Sequence, residues 1–320
     1  MIASTPEIET RRSALVAGLL AVIGSILIAA MPAMAQDDGA RLYMLIPDKT
    51  TITSVRYHRM HSNLAVDPGN IAEGDHLDTD LVVFQFVQTL KIAGGQSSVF
   101  FVLPVSRIEP DFVQPGPDAV DKVSGLGDAQ LGFVLGVHGT PALELAAYAD
   151  HPPGLAVNLL GKIFFPTGKY SAGRSINVGA NRWALRLGVP MVYAIGDRMA
   201  DPHLTTIEIM PTVTFFGRND DPFGADSSKQ KPLFILEGHL TRGVTPDFWA
   251  SLDLLWRRGG EGTVDGVDAD NFQRALSLGA TGTFALAKNA SLRVSYGGVV
   301  DRNAHGPNGW IFRTILGFTF

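Results

Sequence analysis

The sequence predicts an all-β fold, a closed antiparallel transmembrane β-barrel of about twelve strands in up-and-down topology. Two-faced strands, connections whose length alternates along the chain, and an aromatic residue closing the last strand predict it. The final twelve residues set the pattern. Trp310, Phe312, Thr314, Leu316, Phe318 and Phe320 fall on one face at period two, and Gly309, Ile311, Arg313, Ile315, Gly317 and Thr319 on the other. Bulky apolar groups on one side and small or polar groups on the other suit a wall between lipid and water. By itself this strand also fits the last strand of a soluble sandwich, so the rest of the chain has to decide.

Strand candidates recur roughly every 24 residues, a spacing that suits ~10-residue barrel strands with their connections. They lie near Thr51–His61, Asp80–Ala93, Ser97–Ile108, Asp128–His138, Leu155–Phe165 and Asn177–Ile195, then Thr205–Phe216, Leu233–Arg242, Phe248–Arg257, Phe272–Leu286, Ser291–Asp301 and Trp310–Phe320. The first has the weakest alternation. Between the fourth and fifth, Ala142-Leu143-Glu144-Leu145-Ala146-Ala147 has helix-forming composition, so Thr140–Asp150 could hold a short helix instead of a turn.

The faces of these strands carry the argument. One set reads Leu131, Phe133, Leu135 and Val137, then Trp183, Leu185, Leu187, Val189, Met191, Tyr193 and Ile195. It continues as Ile207, Ile209, Val213 and Phe215, then Leu252, Leu254 and Trp256, then Leu292, Val294 and Tyr296. The alternate positions carry Asp128, Gln130, Asn158, Lys162, Arg182, Arg186, Glu208, Glu237, His239, Asp253, Arg257, Arg274, Arg293 and Arg313. A charge facing lipid at the midplane costs ~2–4 kcal/mol, so this segregation follows from the solvent on each side.

Connections sort by parity. Gly94-Gly95-Gln96, Gly243–Asp247 and Ala287–Ala290 are short; Ser62–Thr79, Glu109–Gly127, Gly217–Pro232 and Arg258–Asn271 are long and polar. With both termini in the periplasm, the long set faces outward, the asymmetry of bacterial barrels. Trp183, Trp256 and Trp310 then mark the outer strand ends, and Tyr193, Phe248, Phe318 and Phe320 the inner ends, as two interfacial girdles. Closure is required because backbone groups in hydrocarbon must all be paired. Twelve strands give a lumen between that of a side-chain-filled eight-stranded barrel and a sixteen-stranded porin.

Export is expected. Arg11 and Arg12 precede an apolar run from Ala14 to Ala30, followed by Pro32 and Ala33-Met34-Ala35. These read as a secretory signal cleaved after Ala35, which makes 1–35 a cleavable signal peptide and 36–320 a single outer-membrane barrel domain of a Gram-negative bacterium. The alternative is an uncleaved anchor; Pro32 and the Ala-x-Ala pattern argue against it. The chain has no Cys, which excludes disulfides and thiolate chemistry, and a net charge of −5 without basic clusters, which offers no footprint for nucleic acid. Its 35 Gly and 19 Pro suit strands joined by turns.

Lys162, Arg182, Arg186, Glu208, Glu237, His239, Asp253, Arg274, Arg293 and Arg313 are the lumen-facing candidates. Their mixed signs suit either a selective constriction or a salt-bridged interior, and one network can do both. Phe100, Phe164 and Phe216 share their parity and could line an apolar path or simply pack. His58, His61 and His76 near Asp75, Asp78 and Asp80 contain ligand types, but their irregular spacing predicts no metal site. No Gly-x-Ser-x-Gly elbow or other nucleophile motif occurs, so neither an enzyme nor a cofactor is expected.

Two stretches carry a resemblance. Gly125-Leu126-Gly127-Asp128 opens a strand, and Phe165-Pro166-Thr167-Gly168-Lys169-Tyr170 precedes Asn177-Val178-Gly179-Ala180-Asn181-Arg182-Trp183. The sequence resembles the outer-membrane family named for the meta-pathway of phenol degradation at these motifs. The resemblance implies a β-barrel described as a transporter for aromatic or other hydrophobic compounds, with no catalytic residues. At the matched positions Gly125, Gly127, Asp128, Pro166, Gly168, Asn177, Asn181 and Trp183, the residue types suit turns, local hydrogen bonding and an interfacial anchor. The expected function is passive passage of small hydrophobic or aromatic solutes. The alternatives are a structural or surface-interaction barrel with a closed lumen and, further off, a lipid-acting outer-membrane enzyme. Expected partners are outer-membrane lipid, the solute, and assembly machinery that reads the terminal Phe320. No plug domain is legible at the mature N-terminus, so an energy-coupled receptor is not expected.

Overall fold

The computed structural model describes residues 37–64, 76–110 and 122–320. The expected signal peptide lies outside these residues, as do 65–75 and 111–121 of two long connections. Twelve strands form the wall. They are β1 Thr51–Ser62, β2 Leu77–Ile92, β3 Gly95–Pro110, β4 in two pieces (Val123–Leu126 and Gln130–His138), β5 Leu155–Phe164, and β6 in two pieces (Ala184–Gly188 and Met191–Ile195). The rest are β7 Thr205–Phe216, β8 Leu233–Thr245, β9 Phe248–Gly259, β10 Gln273–Ala287, β11 Ala290–Arg302 and β12 Gly309–Thr319. Each pairs antiparallel with the next, and β12 returns to β1 in a register that runs from Ile52 opposite Thr319 to Ser62 opposite Gly309. Phe320 extends the seam: Thr51 N–H donates to its carbonyl at 2.9 Å and its N–H donates to the Thr51 carbonyl at 2.8 Å. The sheet therefore closes on itself, the condition a spanning sheet must meet.

The tight turns lie at the end where the chain terminates. Between β2 and β3 the turn rests on Ala93 and Gly94, both at positive φ (50° and 83°), the geometry a two-residue hairpin needs and glycine supplies without steric cost. Pro190 interrupts β6 because it cannot donate to the ladder. The Val189 N–H to Pro211 and Asn158 N–H to Pro190 bonds (3.1 and 2.9 Å) carry the sheet across the break. Of the turn and the short helix that Thr140–Asp150 allowed between β4 and β5, the structure has the helix, at Leu145–Ala149. Among the described residues no helix is long and apolar enough to cross a membrane.

The alternation is seen in the burial. Leu131, Phe133, Leu159, Leu185, Leu187, Ile207, Ile209, Leu240 and Leu252 are exposed on the outer surface, while Lys162, Arg186, Glu208, Glu237 and Asp253 from the same strands are buried inside. Trp183, Trp256 and Trp310 sit at the end opposite the tight turns, each against another ring: Phe165 at 5.2 Å, Phe234 at 5.7 Å and Tyr296 at 6.3 Å.

Three expectations need correction. β2 begins at Leu77, before the predicted Asp80. β6 begins at Ala184: residues 177–183, predicted as strand, fold into the preceding connection, where Asn181 takes φ +52°. Asn tolerates that left-handed conformation better than most residues, so the chain turns where the apolar spacing suggested it would run straight. And although no separate plug domain exists among the described residues, residues 37–50 fold back up the inside of the barrel. Ala40, Met44 and Leu45 are buried there. The arm is pinned at its base by Ile46 N–H to Gln96 Oε1 and Asp48 N–H to the Leu143 carbonyl, at 2.8 and 2.7 Å.

Candidate functional site: a lumen narrowed from both ends

The inner obstruction joins the arm to charges the sequence already marked as inward. The Glu237 carboxylate accepts three successive backbone N–H groups of the arm, from Asp37 (3.1 Å), Asp38 (3.0 Å) and Gly39 (2.9 Å). Successive amides converging on one carboxylate form an anion-binding concavity. Opposite, Asp38 accepts from Lys162 Nζ at 2.9 Å and from the Tyr43 hydroxyl at 2.9 Å, and Asp37 pairs with Arg186. Lower down, Arg41 donates its N–H to Glu208 at 2.8 Å and its guanidinium to Thr241 and the Leu204 carbonyl, both 2.8 Å, while lying 4.7 Å over the Trp249 ring. Burial alone would raise the Asp38 pKa; the charges of Lys162 and Arg186, with hydrogen bonds from Lys162 and Tyr43, reverse this and hold it well below the usual carboxylate range. Burial and the neighbouring Asp38 charge push the Tyr43 phenol well above its ordinary value.

The outer obstruction is built from the family-like motifs, which the fold brings together across 40 and 52 residues of sequence. Asp128 is the keystone: its Oδ1 accepts the Gly168 N–H at 2.8 Å and its Oδ2 the Ala180 N–H at 2.9 Å. Gly168 and Gly179 lie backbone to backbone, so close that a Cβ on Gly179 would come 2.7 Å from Gly168. A Cβ on Gly125 would meet Lys169, and one on Gly127 would meet Pro104. The Asn177 amide closes its own turn through Ser171 and Arg174, and Asn181 bonds Asn219 at 2.8 Å. Pro166 lies in the same connection, after β5. This structure seats Ile176 and Val178 in a buried cluster with Leu77, Ile108 and Val123, the inward residues at the outer ends of β2, β3 and β4. The connection between β5 and β6 thus folds into the mouth. Trp183 leaves it on the opposite face, exposed.

Between the two obstructions lies a cavity of about 390 Å³ lined by residues of both. Lys162, Arg182, Arg186, Arg293 and Arg313 line it, as do Phe100, Phe164 and Phe216. Arg182 stacks 4.5 Å over Phe216 and donates to Gln230 at 2.6 Å. Glu208 and Glu237 hold the arm. His239 lies between Glu237 (3.2 Å) and Asp253 (2.7 Å), and Asp253 also accepts from Ser251 and Thr281 at 2.7 and 2.8 Å. Arg274 is the exception. Gln273 and Ala275 beside it are buried inside, so Arg274 points outward at the rim of β10, where it pairs with Asp301. Arg274 has the parity of Leu276, Leu278 and Phe284, so period two places it on the outer face with them; its charge alone argues for the lumen.

Several residues at the site were not singled out from sequence. Arg56 and Trp249 share the inward parity and could have been found by it. Asp37, Asp38, Arg41 and Tyr43 lie before the first strand, where no periodicity points at the lumen. His58 lines the cavity, whereas His61 faces outward, stacked on His76 at 4.8 Å and bonded to Asp78 at 2.9 Å. Asp75 lies outside the described residues; the rest of the His–Asp cluster is split across the wall, and among the described residues no group of three or more His, Cys, Asp or Glu is placed to hold a metal ion.

The fold and this interior define an outer-membrane-type β-barrel. The family model described as "Putative MetA-pathway of phenol degradation" matches residues 62–309, and the chain belongs to that family. The fold is similar to that of the COG4313 outer membrane channel from Pseudomonas putida F1, at a TM-score of 0.73 and 18% identity, with 89% of this chain and 100% of that chain covered. The translocator domain of the autotransporter NalP from Neisseria meningitidis aligns at a TM-score of 0.49 and 8% identity over 87% of this chain and 91% of that one, too distant to carry an argument. Among curated proteins, none matches the sequence.

Proposed function

We propose that the protein is an outer-membrane channel through which small hydrophobic or aromatic solutes pass without energy coupling. The observation that carries this reading is the cavity of about 390 Å³ inside the barrel, walled in part by Phe100, Phe164 and Phe216 and bounded by an arm and a loop instead of a packed core. A barrel serving only as a scaffold has no need of a cavity this size, which falls within the ~300–1,000 Å³ typical of small-molecule sites. Passage requires the solute to enter past the β5–β6 connection and leave past the arm. Export through signal cleavage after Ala35 and assembly through the terminal Phe320 belong to the same reading.

A second reading, a closed barrel whose outer loops bind a partner, is favoured by the arm: it fills the inner half of the lumen through buried ion pairs. Reconstituted protein separates the two. Swelling of proteoliposomes in small aromatic solutes, together with discrete conductance in planar bilayers, is the expected result. A folded protein that gives neither current nor flux overturns the channel and leaves the closed barrel.

A further inference from the structure

The cavity has two chemically different walls, and the boundary between them runs along a single strand pair. On one side β11, β12 and β1 bring Arg293, Arg313, Arg56 and His58 together. His58 lies directly opposite Arg313, and Arg56 and Arg293 lie opposite Ile315 from its two sides. On the next strand, Leu81 stands opposite His58 and Val83 opposite Arg56. From there Phe100, Val102 and Val134 continue an apolar surface across β3 and β4. All of these residues line the one cavity.

The basic wall is under-neutralised. Among the described residues neither Arg56 nor Arg293 forms an ion pair with a carboxylate; Arg293 lies 5.0 Å over Trp249, and Arg56 bonds the neutral Gln85. Arg56 Nε and His58 Nε2 are buried without a hydrogen-bond partner, on side chains of residues only 9% and 8% exposed. The carboxylates that could answer them are committed elsewhere: Glu237 and Glu208 to the arm's backbone, Asp38 to Lys162, Asp37 to Arg186, and Asp253 to His239. Burying a charge or a donor without a partner is costly, so this wall is suited to an anion that comes from outside. A bare inorganic anion would leave the adjoining apolar wall unused.

We propose that the cavity binds organic anions in which a carboxylate is joined to an apolar body of about ring size. The carboxylate accepts from Arg56 and Arg293, and the body lies against Leu81, Val83 and Phe100. This rests on the channel reading for how the anion arrives, but the binding itself does not require conduction.

The test is calorimetric titration of the full mature chain in detergent with benzoate, acetate and benzylammonium, followed by the same solutes as blockers of current in planar bilayers. Benzoate is expected to bind. Acetate, lacking the ring, should bind at least ~10-fold more weakly, and benzylammonium, with the ring but the opposite charge, should not bind. The Arg56→Gln, Arg293→Gln double variant should lose roughly tenfold or more in benzoate affinity, and Leu81→Asn should bring benzoate towards acetate. Arg198→Gln, on the exposed surface, is the control for unrelated charge effects. Retained heat-modifiable gel mobility shows that each variant is folded. Benzylammonium binding as well as benzoate, no benzoate binding by folded protein, or indifference to both substitutions overturns the proposal. Benzoate binding without current or flux would sink the channel reading and leave this site standing; conduction without benzoate discrimination does the reverse.

Discussion

Removing the Glu237 carboxylate should release the arm from the lumen. Three backbone N–H groups at 2.9–3.1 Å lose their acceptor in Glu237→Ala. Hydrogen bonds to charged groups are worth ~1.5–3 kcal/mol each, but three donors sharing one carboxylate are not additive, so the loss to docking is roughly 3–5 kcal/mol. At ~1.4 kcal/mol per factor of ten, the docked arm becomes about two to three and a half powers of ten less favoured. Asp38–Lys162, Asp37–Arg186 and the Arg41 contacts remain, so the variant arm should leave intermittently instead of permanently. Single-channel recording should then show excursions to a larger conductance. They should be rarer in Glu237→Gln, which keeps one acceptor oxygen, and more frequent when Lys162→Met is added. If folded Glu237→Ala, judged by heat-modifiable mobility, gave the conductance and noise of the parent, Glu237 would not be what holds the arm.

The remaining predictions use different observables. The Asp38 carboxyl is held well below its usual value of 3.8 by Lys162 and Arg186 against the effect of burial. Its stabilisation of the docked arm is therefore fully present above that usual value and is lost as pH falls through the depressed one. Conductance should be steady from neutral pH down to roughly pH 4 and rise only below it; a rise already complete at pH 5 would assign the effect to another group. Leu187→Arg puts a charge on the lipid face and should cost ~2–4 kcal/mol if near the midplane, read as a lower folded fraction after dilution into vesicles; unimpaired folding would place that face outside hydrocarbon. Gly179→Ala should unseat the β5–β6 connection, because the new Cβ comes 2.7 Å from Gly168. Asp128→Asn should do so more mildly by weakening two bonds. Both should speed tryptic cleavage at Arg174, and an unchanged cleavage rate would count against the packed loop.

The lipid face and the closed wall were legible because lipid imposes a rule on every second residue of every strand. Leu131, Phe133, Leu185 and Leu187 obey it, and Lys162, Arg186, Glu208 and Glu237 are its complement. Boundaries were less legible where local chemistry outweighs period two. Asn177 and Asn181 turn the chain before β6, and Arg274, at the rim of β10, lies on the face of Leu276 and Leu278 because a charge by itself does not turn a side chain inward. The Gly and Asp positions of the motifs pointed to turns, but their common purpose, Asp128 holding Gly168 and Ala180 in one loop, needs contacts across 40 and 52 residues that no spacing encodes.

The sequence by itself determined the solvent on each side of the wall and the up-and-down order of the strands. The parity of the inward charges other than Arg274 was legible as well, because each follows from periodicity within one strand and from the length of the link to the next. Only the tertiary structure decided what fills the barrel. That Asp37, Asp38 and Gly39 reach Glu237, that a loop enters the mouth, and that Arg56 and Arg293 are left facing Leu81 and Val83 all depend on which strands meet around the ring. Closure sets that arrangement, and a lumen is a property of the closed ring alone.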